Sequence, residues 1–373
     1  MSPLNADLLD LPGGRAKLQT PALVIDLDAL ERNIAAMAEH ARKHGVALRP
    51  HAKTHKSVEI ARRQIAAGAL GICCAKLGEA EALADGGIES ILITSPVVTD
   101  RGIARLLALN ARVADLMAVC DNQMVAARLD EAARAGGKKL RILIDIDPGL
   151  GRTGVSPAEA PALVGFVAQA EGLEYAGLQC YAGQVQHMES ANERRAASLS
   201  ALKELGALRD TLTAQGLAPK ILSGGGTGTF DIDPDARVLT ELQVGSYVFM
   251  DRQYNEVWPG ARAPFETSLY VQTTVISANR TGLATTDAGF KAFATDAGAP
   301  VIARGAPEGS SYFFFGDEQG GIIYSQSKLV PGDVISCVVP HCDPTVNLYG
   351  CFHVVRGEML VGIWPIEGRG RSA

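Results

Sequence analysis

A chain of 373 residues with 47% hydrophobic and 20% charged side chains can bury one large core and a smaller companion without covalent staples. Its net charge of −6, with no compensating basic block, argues against nucleic acid as a partner. The opening MSPLNADLLDLPGGR has no basic segment leading into an apolar one, and no run approaches membrane-spanning length, so we expect a cytoplasmic protein without a membrane partner.

From residue 21 to 255 short apolar runs alternate with longer amphipathic ones. A lead-in strand ALVID (22–26) precedes LDALERNIAAMAEHARKHG, where Leu30, Ile34, Met37 and Ala41 recur on one helical face until Gly45 ends it. Strands are then predicted at 46–50, 70–75, 90–94, 115–120, 140–146, 173–181, 220–225 and 242–249, with room for a helix in nearly every gap. Eight apolar strands joined by crossovers predict a parallel (β/α)8 barrel, with a doubly wound open sheet as the alternative. From residue 260 to 373 the texture changes. SLYVQTTVISA, PVIA, SYFFFG, GGIIYSQ, DVISCVV and GCFHVVRGEMLVGIW are β-branched and aromatic, broken by Gly, Pro and Asp, and predict a C-terminal antiparallel β-domain to which residues 1–20 could contribute. The seven cysteines lie mostly in apolar runs without paired metal spacing and read as reduced core thiols.

The candidate chemistry lies where strands end. In RPHAKTHK (49–56) a lysine just past the first barrel strand is placed where barrels keep working groups. Arg49, His51, His55 and Lys56 would each depress a neighbouring ammonium toward the neutral amine that Schiff-base chemistry needs. A solvated loop is the ordinary alternative, and spacing does not separate Lys53 from Lys56. SGGGTGT (223–229) follows the seventh barrel strand, and its glycine-freed amides could cradle a phosphate, although a glycine run is as often a plain turn. It matches neither the nucleotide P-loop nor the dinucleotide fingerprint. In PHCDPTVNLY (340–349) an extended chain would point His341 and Asp343 to one side and Cys342 to the other, a pair suited to a divalent ion or to a plain His–Asp hydrogen bond. DIDPGLGRTGV (145–155) can aim Arg152 into the barrel mouth. GLQCYAGQVQH (177–187) ends a strand with Tyr181, Gln184 and His187.

Taken in order, TPALVIDLDALERNI, LRPHAKTHK, GICCAKLGEAEAL, DPGLGRTGV, GLQCYAGQVQH, GGGTGT, ELQVGSYVFMD and HCDPTVNLY resemble the pyridoxal-phosphate enzymes of the alanine racemase fold, in the D-threonine aldolase and D-serine dehydratase group. The resemblance spans nearly the whole chain. It implies a barrel plus β-domain, a homodimer, and Lys53 as the Schiff-base lysine, with His51 and His341 as further catalytic candidates. Arg152, Tyr181, Gly224, Gly225, Gly226 and Thr227 become the cofactor-binding candidates. Dehydratases of the group resemble His-x-Cys before Pro-Thr-Val-Asn, whereas the aldolases carry Asp there, as this chain does at Asp343. The resemblance therefore implies a low-specificity aldolase that cleaves D-β-hydroxy-α-amino acids to glycine and an aldehyde. Its metal would be held by His341 and Asp343: Mn²⁺ first, with Mg²⁺, Co²⁺ or Zn²⁺ as alternatives. The competing readings are a D-serine or 3-hydroxyaspartate dehydratase, a 3-hydroxy-D-aspartate aldolase that needs an extra cation such as Arg252 or Lys291, and a non-catalytic cofactor carrier.

Overall fold

Strands whose side chains are apolar on both faces need cover on both faces, and the first region of the chain supplies it by alternating strand and helix. The computed structural model describes residues 4–258, 263–325 and 328–373. After β1 (Ala22–Asp26) and α1 (Leu27–His44) the order is β2 (Ala47–Leu48), α2 (Val58–Ala66), β3 (Ile72–Cys74), α3 (Leu77–Asp85), β4 (Ser90–Ile93), α4 (Asp100–Arg112), β5 (Asp115–Cys120) and α5 (Gln123–Gly136). Then come β6 (Leu140–Asp145), α6 (Ala160–Gln169), β7 (Leu173–Cys180), α7 (Ala191–Ala214), β8 (Ile221–Gly224) and β9 (Glu241–Leu242). Helices start where a side chain satisfies first-turn amides: Thr99 before α4, Asn122 before α5 and Ser190 before α7. On α1 the expected face of Leu30, Ile34, Met37 and Ala41 is buried.

Among the described residues, eight strands form one parallel sheet in the order β2-β9-β8-β7-β6-β5-β4-β3. The parallel bridge His51↔Cys73 joins its two ends, which makes it a barrel and removes the open sheet from consideration. The seam strand β2 is only two residues long because Pro50 has no amide to give. The chain continues the pairing around it through Arg49 N–H to Leu242 O, His51 N–H to Val244 O and Cys73 N–H to Pro50 O. The eighth expected strand, 242–249, is also shorter. It stops at Leu242, and Ser246 O then accepts the amides of Phe249 and Met250, curling the chain into a 3₁₀ turn.

The remaining elements are α8 (Arg252–Glu256), β10 (Leu269–Arg280), β11 (Leu283–Thr286), β12 (Val301–Arg304), β13 (Ser311–Phe314), β14 (Gly320–Ile323), β15 (Val334–Val338), α9 (Cys342–Val346), β16 (Cys351–Arg356) and β17 (Met359–Pro365). Here the sheet order is β13-β14-β11-β10-β1-β16-β17, with β15 on β10 and β12 on β15. Every pair is antiparallel except β1 with β16. The lead-in strand ALVID is thus a central strand of this sheet and no part of the barrel. One compact unit comprises Met1–Ala36, Thr54–Ser57 and Ser246–Arg369, and the other Met37–Lys53, Val58–Gly245 and Gly370–Ala373. The N-terminal segment belongs to the first: Leu9 bridges Leu360, and Asn5 Nδ2 lies 2.9 Å from His353 Nε2. The expected domain start at residue 260 and the last residue of the expected strand GGIIYSQ, residue 326, lie outside the described residues. Strand β11 is an addition to the sequence reading, being four residues directly after a Thr-Gly turn. No described helix is long and apolar enough to cross a membrane.

Candidate active site

In the barrel unit, Cys73, Leu92, Met117, Val119, Leu143 and Ala176 fill the interior as a small apolar cluster. Toward the C-terminal ends of the strands the lining turns polar, and the buried groups satisfy one another. Gln243 Nε2 donates to Gln179 Oε1 (3.1 Å) and Ser223 Oγ (2.9 Å); Gln179 Nε2 donates to Asp145 Oδ1 (2.9 Å) and Thr94 O (3.2 Å). Burial pushes the Asp145 carboxyl above its ordinary range, against the opposing bonds from Gln179 and Thr153.

His51 joins this layer. Its Nδ1 accepts the Lys53 amide (3.3 Å), so the ring is the Nε2–H tautomer, which donates to Thr94 Oγ1 at 3.0 Å. Thr94 in turn donates to Cys74 O (3.2 Å). Arg49 departs from expectation. Its guanidinium is buried with Glu241 (Nε to Oε1, 2.9 Å) and also reaches Ser90 Oγ (2.8 Å). Its charge is matched within the barrel and cannot serve to depress a nearby ammonium. His55 and Lys56 fall in the other unit. There His55 Nδ1 accepts the Ser57 amide (3.1 Å), and Lys56, at φ 52°, accepts the Gly368 amide on its carbonyl (2.9 Å). Of the two lysines, Lys53 is the one in the barrel unit.

Two loops complete that end of the barrel. Asp147 Oδ1 accepts the amides of Gly149, Leu150 and Gly151, shaping the turn that carries Arg152 to within 5.5 Å of the Tyr181 ring. The glycine segment after β8 is held from behind by a residue missed in the sequence. Gln186, rather than the exposed Gln184, is buried; its Oε1 accepts the Gly228 amide (2.9 Å) and its Nε2 donates to Thr229 Oγ1 (3.1 Å). A side chain at 228 would put Cβ 2.0 Å from Gln186 O, and Gly225 has φ +71°. At 225 and 228 side chains are thus excluded and the amides are left uncovered, as an anion site built of amides requires. Thr227 is buried at its end.

In the β-unit, His341–Asp343 is not the extended segment expected. His341 precedes α9, Asp343 lies in its first turn, and Cys342 is buried. The helix is set by Asp251, which accepts the Cys342 amide (2.8 Å) and, as cap of α8, the Tyr254 amide (2.9 Å). Burial pushes the Asp251 carboxyl up. His341 Nδ1 bonds Asp296 Oδ2 at 2.6 Å, and Thr54, next in sequence to Lys53, donates to Asp343 Oδ1 at 2.7 Å. Neither Asp296 nor Thr54 carries a sequence signal, since each meets its partner only through the fold. Among the described residues no group of three or more His, Cys, Asp or Glu forms a metal cluster. An imidazole and a carboxylate are a donor set for a divalent ion whose other positions are left to water and substrate.

Residues 25–253 match the family described as the alanine racemase N-terminal domain. The chain belongs to this family, the fold-type III pyridoxal-phosphate enzymes. Residues 268–355 match the putative serine dehydratase domain. The chain is 40% identical over 362 residues to a D-threonine aldolase of Arthrobacter sp., covering 96% of this chain and 94% of the relative. It is 37% identical over 374 residues to a 3-hydroxy-D-aspartate aldolase of Paracoccus denitrificans, covering 98% and 96%. The solved D-threonine aldolase of Filomicrobium marinum superposes with a TM-score of 0.93 at 38% identity, over 97% of this chain and 98% of that one. The glycine cradle and the lysine past β2 fit a phosphate-bearing pyridoxal by the chemistry of their donors: amides for an anion, an amine for an aldehyde.

Proposed function

We propose that the protein is a pyridoxal-phosphate- and divalent-metal-dependent aldolase that cleaves D-threonine and other D-β-hydroxy-α-amino acids to glycine and an aldehyde. The observation that carries this reading is the His341–Asp343 pair: an imidazole and a hard carboxylate, each fixed by its own hydrogen bond, where a thiolate would mark the dehydratase pattern. When bound, pyridoxal phosphate supplies the electron sink for the Cα–Cβ bond and the metal ion acidifies the β-hydroxyl.

Lys53 Nζ would be the amine that holds the cofactor aldehyde, and the Lys53 amide is anchored on His51 Nδ1. With its Nε2 proton committed to Thr94, His51 orients the lysine and is not the proton acceptor. Amides of Gly224, Gly225 and Gly226, with Thr227, would bind the phosphate. Arg152 and Tyr181, 5.5 Å apart, would hold the rest of the cofactor. Asp296 takes the Nδ1 proton of His341, which leaves Nε2 as the ligating nitrogen. In the overall reaction the β-hydroxyl loses its proton, the Cα–Cβ bond breaks to leave an aldehyde on Cβ, and Cα gains a proton to become glycine.

Each candidate for the extra cation that a β-carboxylate would need already has an acidic partner, which favours a neutral β-substituent. Arg252 is paired with Glu256 (2.8 Å) and donates to Ala299 O, and Lys291 is paired with Glu318. Product analysis tests the proposal: purified protein with pyridoxal phosphate and Mn²⁺ is given D-threonine, D-serine or 3-hydroxy-D-aspartate. Glycine and acetaldehyde from D-threonine, lost with EDTA, are expected. Ammonia with 2-oxobutanoate would replace the aldolase by a β-eliminating enzyme, and turnover of 3-hydroxy-D-aspartate alone would overturn the substrate assignment.

A further inference from the structure

Asp233 lies behind the glycine cradle, 1% exposed and without a cation for a partner. Its Oδ1 accepts Ser198 Oγ of α7 at 2.5 Å, its Oδ2 accepts Thr229 Oγ1 at 2.7 Å, and it also accepts the Gly226 amide. The carboxylate edge is so close to the loop that a Cβ on Gly225 would meet Oδ2 at 2.5 Å. The groups around it are neutral or acidic: Cys180 at the end of β7, and Asp231 two residues before it. The neighbouring arginines of α7 turn elsewhere, Arg194 to Met188 O and Arg195 to Asp235, on which Arg237 and His44 also act. Burial, with Asp231 adding to it, pushes the Asp233 carboxyl up to about 7 against the bonds from Ser198 and Thr229.

We propose that Asp233 is a positioning residue for the phosphate cradle: it fixes the loop through Gly226 and Thr229, and the proton it carries sets how strongly residues 224–227 hold a phosphate monoester. The inference rests on the cradle being the cofactor-phosphate site. An ionised Asp233 would put a second anion behind the amides that bind the first, with little solvent between to screen them. A bound phosphate therefore favours the protonated carboxyl. By linkage, the affinity is highest below the Asp233 titration and falls as pH rises through it.

The test uses cofactor-free protein and 4′-deoxypyridoxine 5′-phosphate, which carries the phosphate but has no aldehyde for Lys53. Its dissociation constant is followed calorimetrically from about pH 6 to about pH 8.5, beside Asp233→Asn and Ser198→Ala. In the unsubstituted protein the affinity is expected to fall by roughly tenfold over this range, the size of coupling typical of adjacent sites. Asp233→Asn, which keeps the size of the side chain and one acceptor oxygen but cannot ionise, should lose that fall. Ser198→Ala removes a donor that favours the carboxylate, so it should move the fall to higher pH. The same slope in Asp233→Asn, or, should that variant not fold, an unmoved midpoint in Ser198→Ala, overturns the inference while leaving the cofactor reading intact. No binding at any pH overturns both.

Discussion

Asp296 accepts the Nδ1 proton of His341, and a carboxylate in that position fixes both the ring and its tautomer, the usual arrangement behind a metal-ligating histidine. Asp296→Ala is therefore expected to weaken divalent-ion affinity by about 10- to 100-fold, measured by direct titration with Mn²⁺. An unaltered affinity would show that His341 is oriented by something else. At the other end of the chemistry, Lys53→Ala should abolish the visible absorbance of the cofactor-loaded protein, while Lys56→Ala should retain it. The contrast follows from Lys56 lying in a left-handed turn bonded to Gly368. Such roles were legible only in part from sequence. The lysine motif and the glycine run announce themselves because their chemistry is local. Asp296, Thr54 and Asp233 do not, because each is one polar residue whose meaning depends on a partner 45, 289 or 35 positions away.

Strand β9 and the two-residue seam strand β2 pair over two residues only, and the Arg49–Glu241 ion pair adds a side-chain tie between the same stretches of chain. Burial disfavours the Arg49 charge and Glu241 offsets that loss, holding the guanidinium protonated. Glu241→Gln would leave a buried cation unmatched, a change that costs about 3–5 kcal/mol, read as a lowered denaturant midpoint. A drop below about 1 kcal/mol would mean that solvent reaches the seam. The glycine loop offers the complementary case of a local lesion. Gly228→Ala forces Cβ against Gln186 O, so the loop must shift. Cofactor affinity should fall by roughly tenfold or more with little loss of thermal stability in the cofactor-free protein, since loop positions carry function more than fold. At this scale the sequence was most readable for long apolar strands, whose period and composition are their own signal. It was least readable at β2, β9 and β11, where two to four residues are held by neighbours and not by pattern.

The chain places β1 in the β-unit, leaves it to build the barrel with one excursion back at Thr54–Ser57, and returns at Ser246. The central strand of that sheet is therefore made first and completed last. Its partners are Leu269–Arg280 on one side and Cys351–Arg356 on the other, and its four leading residues are fully covered once both are in place. On the ribosome, at about 5–20 residues per second, the apolar ALVI would wait on the order of ten seconds or more for its two neighbours, a bare strand with both edges open. A fragment of residues 21–245 should consequently precipitate on expression, whereas residues 37–245 should stay in solution; equal solubility of the two would refute this. The same feature makes the burial of one of the earliest strands the work of nearly the last, so a chain cut short before Cys351–Arg356 would leave one edge of ALVI open however well its barrel had formed.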